Sequence, residues 1–209
     1  EKEKEEVPQP LEAIENKVEA RAVHYGLPLW MMQWVHDELG GDEASAWAEA
    51  NSHPAPINLR VNTRINSRDE LLAKFKEAEI AAVALPLFPD AIELGSAGNV
   101  ASLPGFDEGA FIVQDPAAQL VGHLVAPDND STILDLCAAP GGKSLHLAEM
   151  MGQTGKVIAV DVHQHKIALI RNNANRLGLT NIVPQFSDAT SLDSMKKVLE
   201  RTQVEQIDH

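Results

Sequence analysis

Leu134-Asp135-Leu136-Cys137-Ala138-Ala139-Pro140-Gly141-Gly142-Lys143-Ser144 decides how this chain is read. An apolar run with strand character (Ile133, Leu134, Leu136) enters a Pro-Gly-Gly turn, and the turn opens a helix carrying Leu145, Leu147, Ala148 and Met150. A strand, a glycine turn and a helix in this order present backbone N–H groups and the positive helix end to an anionic group. Doubly wound α/β proteins hold nucleotide-like cofactors at such junctions, at the carboxyl edge of the sheet.

Working outward, Val157-Ile158-Ala159-Val160 reads as a second strand closed by Asp161, 26 residues after Asp135. An acidic residue there is placed to accept hydrogen bonds from ribose hydroxyls. A helix is predicted from about His163 to Leu177, with Ile167, Ile170, Ala174 and Leu177 on one face and Gly178 at the left-handed cap. A third strand, about Ile182 to Phe186, leads into Ser187-Asp188-Ala189. Three strand ends therefore converge on a pocket for a nucleoside-bearing cofactor.

Three cofactors compete for it. Gly142-Lys143-Ser144 mimics the end of a phosphate-binding GxxxxGK[ST] loop, but Cys137 stands where that motif needs its first glycine. The dinucleotide fingerprint GxGxxG is not supplied by Ala-Ala-Pro-Gly-Gly-Lys either. S-adenosylmethionine has no phosphates to wrap. It needs a short glycine turn at its amino-acid end and carboxylates at ribose and base, and it is favoured on these grounds.

The same stretch, Leu134 to Ser144, resembles the cofactor motif of the Sun/Fmu family of RNA cytosine-5 methyltransferases, most of all its bacterial small-subunit (16S) ribosomal RNA branch. The resemblance runs from about Val18 to the end. It takes in His24-Tyr25-Gly26-Leu27-Pro28-Leu29-Trp30, Leu59-Arg60-Val61-Asn62-Thr63, Phe111-Ile112-Val113-Gln114-Asp115, Ala159-Val160-Asp161 and Asn175-Arg176-Leu177-Gly178. It implies a Rossmann-like class I methyltransferase sheet, represented by its first three strands, behind helices and a small RNA-recognition-like α/β subdomain. It implies S-adenosylmethionine as cofactor, with Cys137, Ala138, Ala139, Pro140, Gly141, Gly142 and Lys143 at the methionine end, Asp161 on the ribose and Asp188 at the adenine. The implied chemistry adds a cysteine thiolate to cytosine C6, so that C5 becomes nucleophilic enough to take the methyl group. The base must first leave its stack.

The family's two active cysteines lie after a fourth strand, in an Asp-x-Pro-Cys turn and a later Thr-Cys. This sequence ends at Gln206-Ile207-Asp208-His209, where that strand should begin, and its one cysteine is Cys137. Cys137 is expected to pack beneath the turn rather than to act as nucleophile, and the chain is expected not to complete methyl transfer alone. An exposed apolar edge on the first strand is expected, with self-association through it. At the other end, Glu-Lys-Glu-Lys-Glu-Glu begins without methionine and reads as a charged linker over 1–17. Family members carry a helical RNA-binding domain before this point. The sequence thus resembles a central portion, divided into 1–17, a helical and α/β RNA-orienting part over 18–113, and the N-terminal half of a cofactor domain over 114–209.

With 44% hydrophobic residues among 209, one or two modest cores can form. No run reaches membrane-spanning length, no signal-peptide pattern opens the chain, and a single cysteine suits the cytoplasm. The eight histidines give no clear metal site, and His163-x-His165 reads as the solvated start of a helix. A net charge of −14 argues against a broad phosphate-binding surface, so ribosomal RNA as partner rests on the resemblance. Arg60, Arg64 and Arg68 form a local basic face or are ordinary surface residues. Two other function classes compete: a non-catalytic cofactor- or RNA-binding module, and a nicotinamide-dependent oxidoreductase.

In the first half, helices are predicted between about Leu11 and Ala50, with Trp30, Met31, Trp34, Val35 and Leu39 as a core stripe and Asp42 as a cap. A strand is predicted over Ile57 to Thr63, then a helix opened by a Ser67/Glu70 capping box. Strands follow near Ala82–Leu87, Ala91–Leu94 and Ala110–Val113, and Asp115-Pro116 starts the next helix.

Overall fold

In the computed structural model of the chain, residues 14–95, 98–152 and 154–209 are described; most of the predicted charged linker lies outside them. Two compact units divide between Ala55 and Pro56.

The first unit is helical: α1 (Lys17–Tyr25), α2 (Leu29–Leu39) and α3 (Gly41–Ser52). Asn16 caps α1, accepting the N–H groups of Val18 and Glu19, and Gly26 closes it at φ 66°. The core is Val18 and Ala22 from α1, Met32 and Val35 from α2, and Ala44 and Ala48 from α3. This corrects the predicted stripe. Trp30 and Trp34 are 68% and 61% exposed, because the narrower Met32/Val35 face is the one that meets the small alanines of α3. Nor does Asp42 cap α3, which begins one residue earlier behind Gly40.

The second unit carries two sheets. In the first, β1 (Ile57–Val61), β2 (Ala82–Ala84), β3 (Ala91–Leu94) and β4 (Phe111–Val113) pair antiparallel in the order β2-β3-β1-β4. Leu59 stands opposite both Ile92 and Val113. Helix α4 (Arg68–Glu77) starts at the predicted capping box and buries Leu71 and Phe75 against Leu59, Val61, Ile92 and Phe111. The strand–helix–strand–strand–strand order matches the expected small α/β module.

Helix α5 (Pro116–Val125), capped by Asp115 as predicted, leads to the second sheet: β5 (Thr132–Asp135), β6 (Lys156–Asp161) and β7 (Ile182–Phe186), parallel in the order β5-β6-β7. The intervening helices are α6 (Gly142–Met150) and α7 (Gln164–Arg176), and α8 (Leu192–Thr202) follows. Strand β6 reads as a continuous apolar run because both its faces are covered. Val157 and Ala159 meet residues of α6 and α7, while Ile158 and Val160 meet Val198 of α8. The outer edge of β5 is not bare as expected. Asp208 N–H donates to Thr132 O (2.9 Å), the Asp208 carboxylate accepts the Thr132 N–H (2.8 Å), and Leu134 N–H donates to His209 O (2.9 Å).

The two sheets are joined by polar residues. Arg60, 1% exposed, sends its guanidinium from β1 to the Glu149 carboxylate of α6 in a two-pronged ion pair and donates Nε–H to Gln114 Oε1 at 2.6 Å. Arg176 of α7 donates to Phe106 O (2.8 Å) and Phe111 O (3.0 Å) and stacks on the Phe106 ring. Asn62 donates to Gly109 O, and Arg64 reaches Gly178 O. Gly109 lets these backbones close, since a Cβ there would lie 2.1 Å from Arg176 O. Arg68 donates to Leu85 O and Phe88 O within its own module. The three arginines therefore do different things: Arg60 is buried in the seam, Arg68 is tied within its own module, and Arg64 is exposed and touches the seam at one carbonyl.

Removing one partner of a buried pair strands the other charge. Arg60→Ala is expected to cost about 3–5 kcal/mol of unfolding free energy in urea titration, and replacing Arg60 and Glu149 together by apolar residues much less. A second prediction concerns His146 of α6, 3% exposed, whose pKa falls to about 3 through burial and the nearby charges of Arg60 and His123. Below the ordinary value near 6.5 the unfolded chain binds the proton and the folded chain does not. Stability is therefore expected to be complete above about pH 6.5 and to fall as pH drops toward 3, with His146 carbon shifts staying neutral above pH 4.

Candidate cofactor cleft

The cleft is built where the three parallel strands end. Asp135, the last residue of β5, reaches across the turn with both carboxylate oxygens: Oδ1 accepts the Cys137 N–H (3.2 Å) and Oδ2 accepts the Ser144 hydroxyl (2.5 Å). Ala138 N–H donates to Val160 O at 2.9 Å, which stitches the turn to β6. The Ala139–Pro140 peptide is cis. Gly141 then takes φ 110°, and α6 starts at Gly142 with its free N–H groups at the turn.

Asp161 ends β6 and is 7% exposed. Its Oδ2 accepts Ala139 N–H (3.2 Å) and its Oδ1 accepts His163 N–H (2.9 Å), with His163 Nδ1 at 3.1 Å. Burial pushes this carboxyl up. The hydrogen bonds from His163 and Ala139 and the charge of Lys166 outweigh that, and the net pKa lies below the ordinary value. Asp188, exposed after β7, accepts the Thr190 hydroxyl (2.7 Å) and N–H (2.9 Å), and these bonds lower its pKa too. Both carboxylates are ionised at neutral pH.

Two adjoining cavities open here. The larger, about 510 Å³, is lined by Leu136, Cys137, Ala139, Asp161, Val162, His163, Lys166, Asp188, Ala189 and Thr190. The smaller, about 220 Å³, is lined by Val113, Gln114, Ala118, Asp135, Cys137, Ala138, Ala139, Pro140, Gly142 and Lys143. Of the residues singled out from sequence, Cys137, Ala138, Ala139, Pro140, Gly142, Lys143, Asp161 and Asp188 line one or both. Gly141 is buried behind the turn, against Leu145 and Ile170. Cys137 is exposed and borders both cavities, so it is not packed beneath the turn as expected; its N–H is used by Asp135 and its side chain projects from the loop.

Sequence reasoning missed Asp135, Gln114, His163 and Thr190. Of these only His163 carries a sequence-based expectation, as part of the solvated start of a helix. A Ser nine residues after a strand-terminal Asp was the available signal for Asp135. Gln114 is 6% exposed, and because its Oε1 takes the Arg60 guanidinium its amide orientation is fixed. Its Nε2 is left as a buried donor without a partner beside the smaller cavity. The larger cavity thus offers two carboxylates as acceptors, and the smaller offers a neutral donor, helix N–H groups and Lys143. That polarity suits a ligand with hydroxyls at one end and a carboxylate at the other.

Gly141→Ala is expected to destabilise the chain by about 1–3 kcal/mol in thermal unfolding, since a side chain at φ 110° is strained and its Cβ would press on Leu145 at 3.1 Å.

Comparison with known proteins places this geometry. Residues 122–207 match the family model for 16S rRNA methyltransferase RsmB/F, and residues 27–101 match that for the ferredoxin-like domain of RsmF/B-like methyltransferases. Ribosomal RNA small subunit methyltransferase B of Sodalis glossinidius is 49% identical over 131 residues, covering 63% of this chain and 30% of the relative. The probable enzyme of the same name in Bacillus subtilis is 37% identical over 178 residues, covering 85% of this chain and 40% of the relative. The chain thus spans well under half the length of either. Among solved structures, a methyltransferase homolog from Pyrococcus horikoshii superposes with a TM-score of 0.74 at 23% identity, over 88% of this chain and 60% of that one, which shows a shared fold.

Proposed function

Because the chain belongs to the Sun/Fmu family, in its RsmB/F branch, we propose that the cleft holds S-adenosylmethionine and serves methylation of small-subunit ribosomal RNA at cytosine C5. The observation that carries the reading is the pairing of an acceptor-lined cavity at Asp161 and Asp188 with a donor-lined one at Gly142, Lys143 and Gln114. Adenosine occupies the larger cavity, with the ribose hydroxyls at Asp161 and the adenine near Asp188. The methionine carboxylate takes the N–H groups of the turn. When bound, the cofactor supplies an electrophilic methyl group on a sulfonium.

Asp161 plays two parts in this reading. It holds the turn through Ala139 and the next loop through His163, and its oxygens keep lone pairs free for hydroxyl donors. Asp135 holds the helix end in place through Ser144. Cys137 is assigned to the cleft wall. The thiolate that adds to cytosine C6 is proposed to come from outside these 209 residues, and the RNA-orienting role of the first sheet is part of the same proposal.

Calorimetric titration with S-adenosylmethionine, NAD and ATP tests the reading. S-adenosylmethionine alone is expected to bind, weakened about tenfold or more by Asp161→Ala and by Asp188→Ala, as loss of hydrogen bonds to charged groups requires. Asp188 is exposed and bonds only within its own turn, so its removal separates lost ligand contact from a loosened loop. Tighter binding of NAD or ATP, or affinity for S-adenosylmethionine unchanged in both variants, would count against it.

A further inference from the structure

Outside the cleft, three metal-ligating side chains from three different elements meet. Asp90 comes from the turn before β3, His123 from α5 and His146 from α6, and one ligand atom from each lies within 4.8 Å of the others. His123 Nε2 stands 3.8 Å from Asp90 Oδ2. The two imidazole rings are 5.3 Å apart and nearly perpendicular, at 84°, so they do not stack. In a tetrahedral zinc shell with bonds near 2.0–2.1 Å the ligand atoms stand about 3.4 Å apart. His123 and Asp90 already stand near that spacing, and the three atoms together lie within 4.8 Å of one another.

A second observation points the same way. His146 is 3% exposed, and its Nδ1 has no hydrogen-bond partner, an arrangement rare for a buried ring nitrogen. Gly122 of α5 makes room for the ring itself, since a Cβ there would lie 2.4 Å from Nδ1. His123 is partly exposed, which leaves an entry path and room for water in the shell. The Arg60 cation close to His146 is already matched by the Glu149 carboxylate, so it does not by itself exclude an added cation.

We propose that Asp90, His123 and His146 form a binding site for a divalent transition-metal ion, with solvent completing the shell. Two imidazoles and one carboxylate select zinc-like ions over calcium or magnesium, which prefer oxygen-only ligation. Bound there, the ion fastens the turn before β3 to α5 and α6, and so ties the antiparallel sheet to the helix that opens the cofactor cleft. This departs from the sequence-based expectation of no metal, which looked for clustered cysteines and could not see three residues distant in sequence converge.

The test is titration of the chelator-treated full chain with Zn²⁺, and with Co²⁺ as a spectroscopic probe. One equivalent is expected to bind and raise the thermal midpoint, with affinity falling at least tenfold in His123→Ala and in Asp90→Asn. Neither residue is fully buried, and far-UV circular dichroism checks that both variants fold. His53→Ala, at an exposed histidine elsewhere, is expected to bind as the parent does. Absence of saturable one-equivalent binding, or equal affinity in the parent and either cluster variant, would overturn the proposal.

Discussion

The buried Arg60–Glu149 pair is the constraint on which the second unit depends. One partner belongs to the first strand of the antiparallel sheet and the other to the helix that follows the glycine turn. Neither charge can stay dehydrated without the other, so the two sheets hold one relation or the unit opens. Gln114 extends the same network from the guanidinium to the wall of the smaller cavity. The position of the cleft is thereby tied to a charge pair on the far side of α6. The Arg176 contacts, the Asn62 amide and the close approach at Gly109 reinforce the same seam.

At the cleft two of the carboxylates are builders. Asp161 bridges two backbone N–H groups and Asp135 bridges a backbone N–H and the Ser144 hydroxyl, which fixes the turn before any ligand arrives. Preorganisation of this kind lowers the ordering cost of binding. Asp188 differs: it is exposed and bonded only within its own turn, so it shapes the rim and leaves the frame to the others.

The parallel sheet was legible because its first two strands are apolar runs ending in Asp, and its helices carry periodic faces with identifiable caps at Asp115 and Gly178. The glycine turn was legible from its residues alone. What escaped was everything decided by pairing across long sequence separations. Arg60 and Glu149 stand 89 residues apart, and nothing local distinguishes a buried guanidinium from a surface one. The Leu-Arg-Val-Asn-Thr and Asn-Arg-Leu-Gly stretches carried the resemblance without revealing that they touch each other through Asn62 and Leu177, with Arg64, just beyond the first, reaching Gly178. The tryptophans of α2 failed for the opposite reason. Helical spacing marks an apolar face, but which of two faces is buried depends on the partner, and here the partner is a pair of alanines.

The division of aromatic residues between the units has a spectroscopic consequence. Every tryptophan (Trp30, Trp34, Trp47) and the one tyrosine, Tyr25, fall in the helical unit, while the five phenylalanines fall in the unit with the cleft. Ultraviolet emission from this chain is therefore dominated by three helices, with two of its three indoles largely in water. Loss of structure around the cofactor turn is close to silent in that signal. An emission-detected melt tracks the helical unit, and the cleft becomes visible to light only through an indole placed beside it.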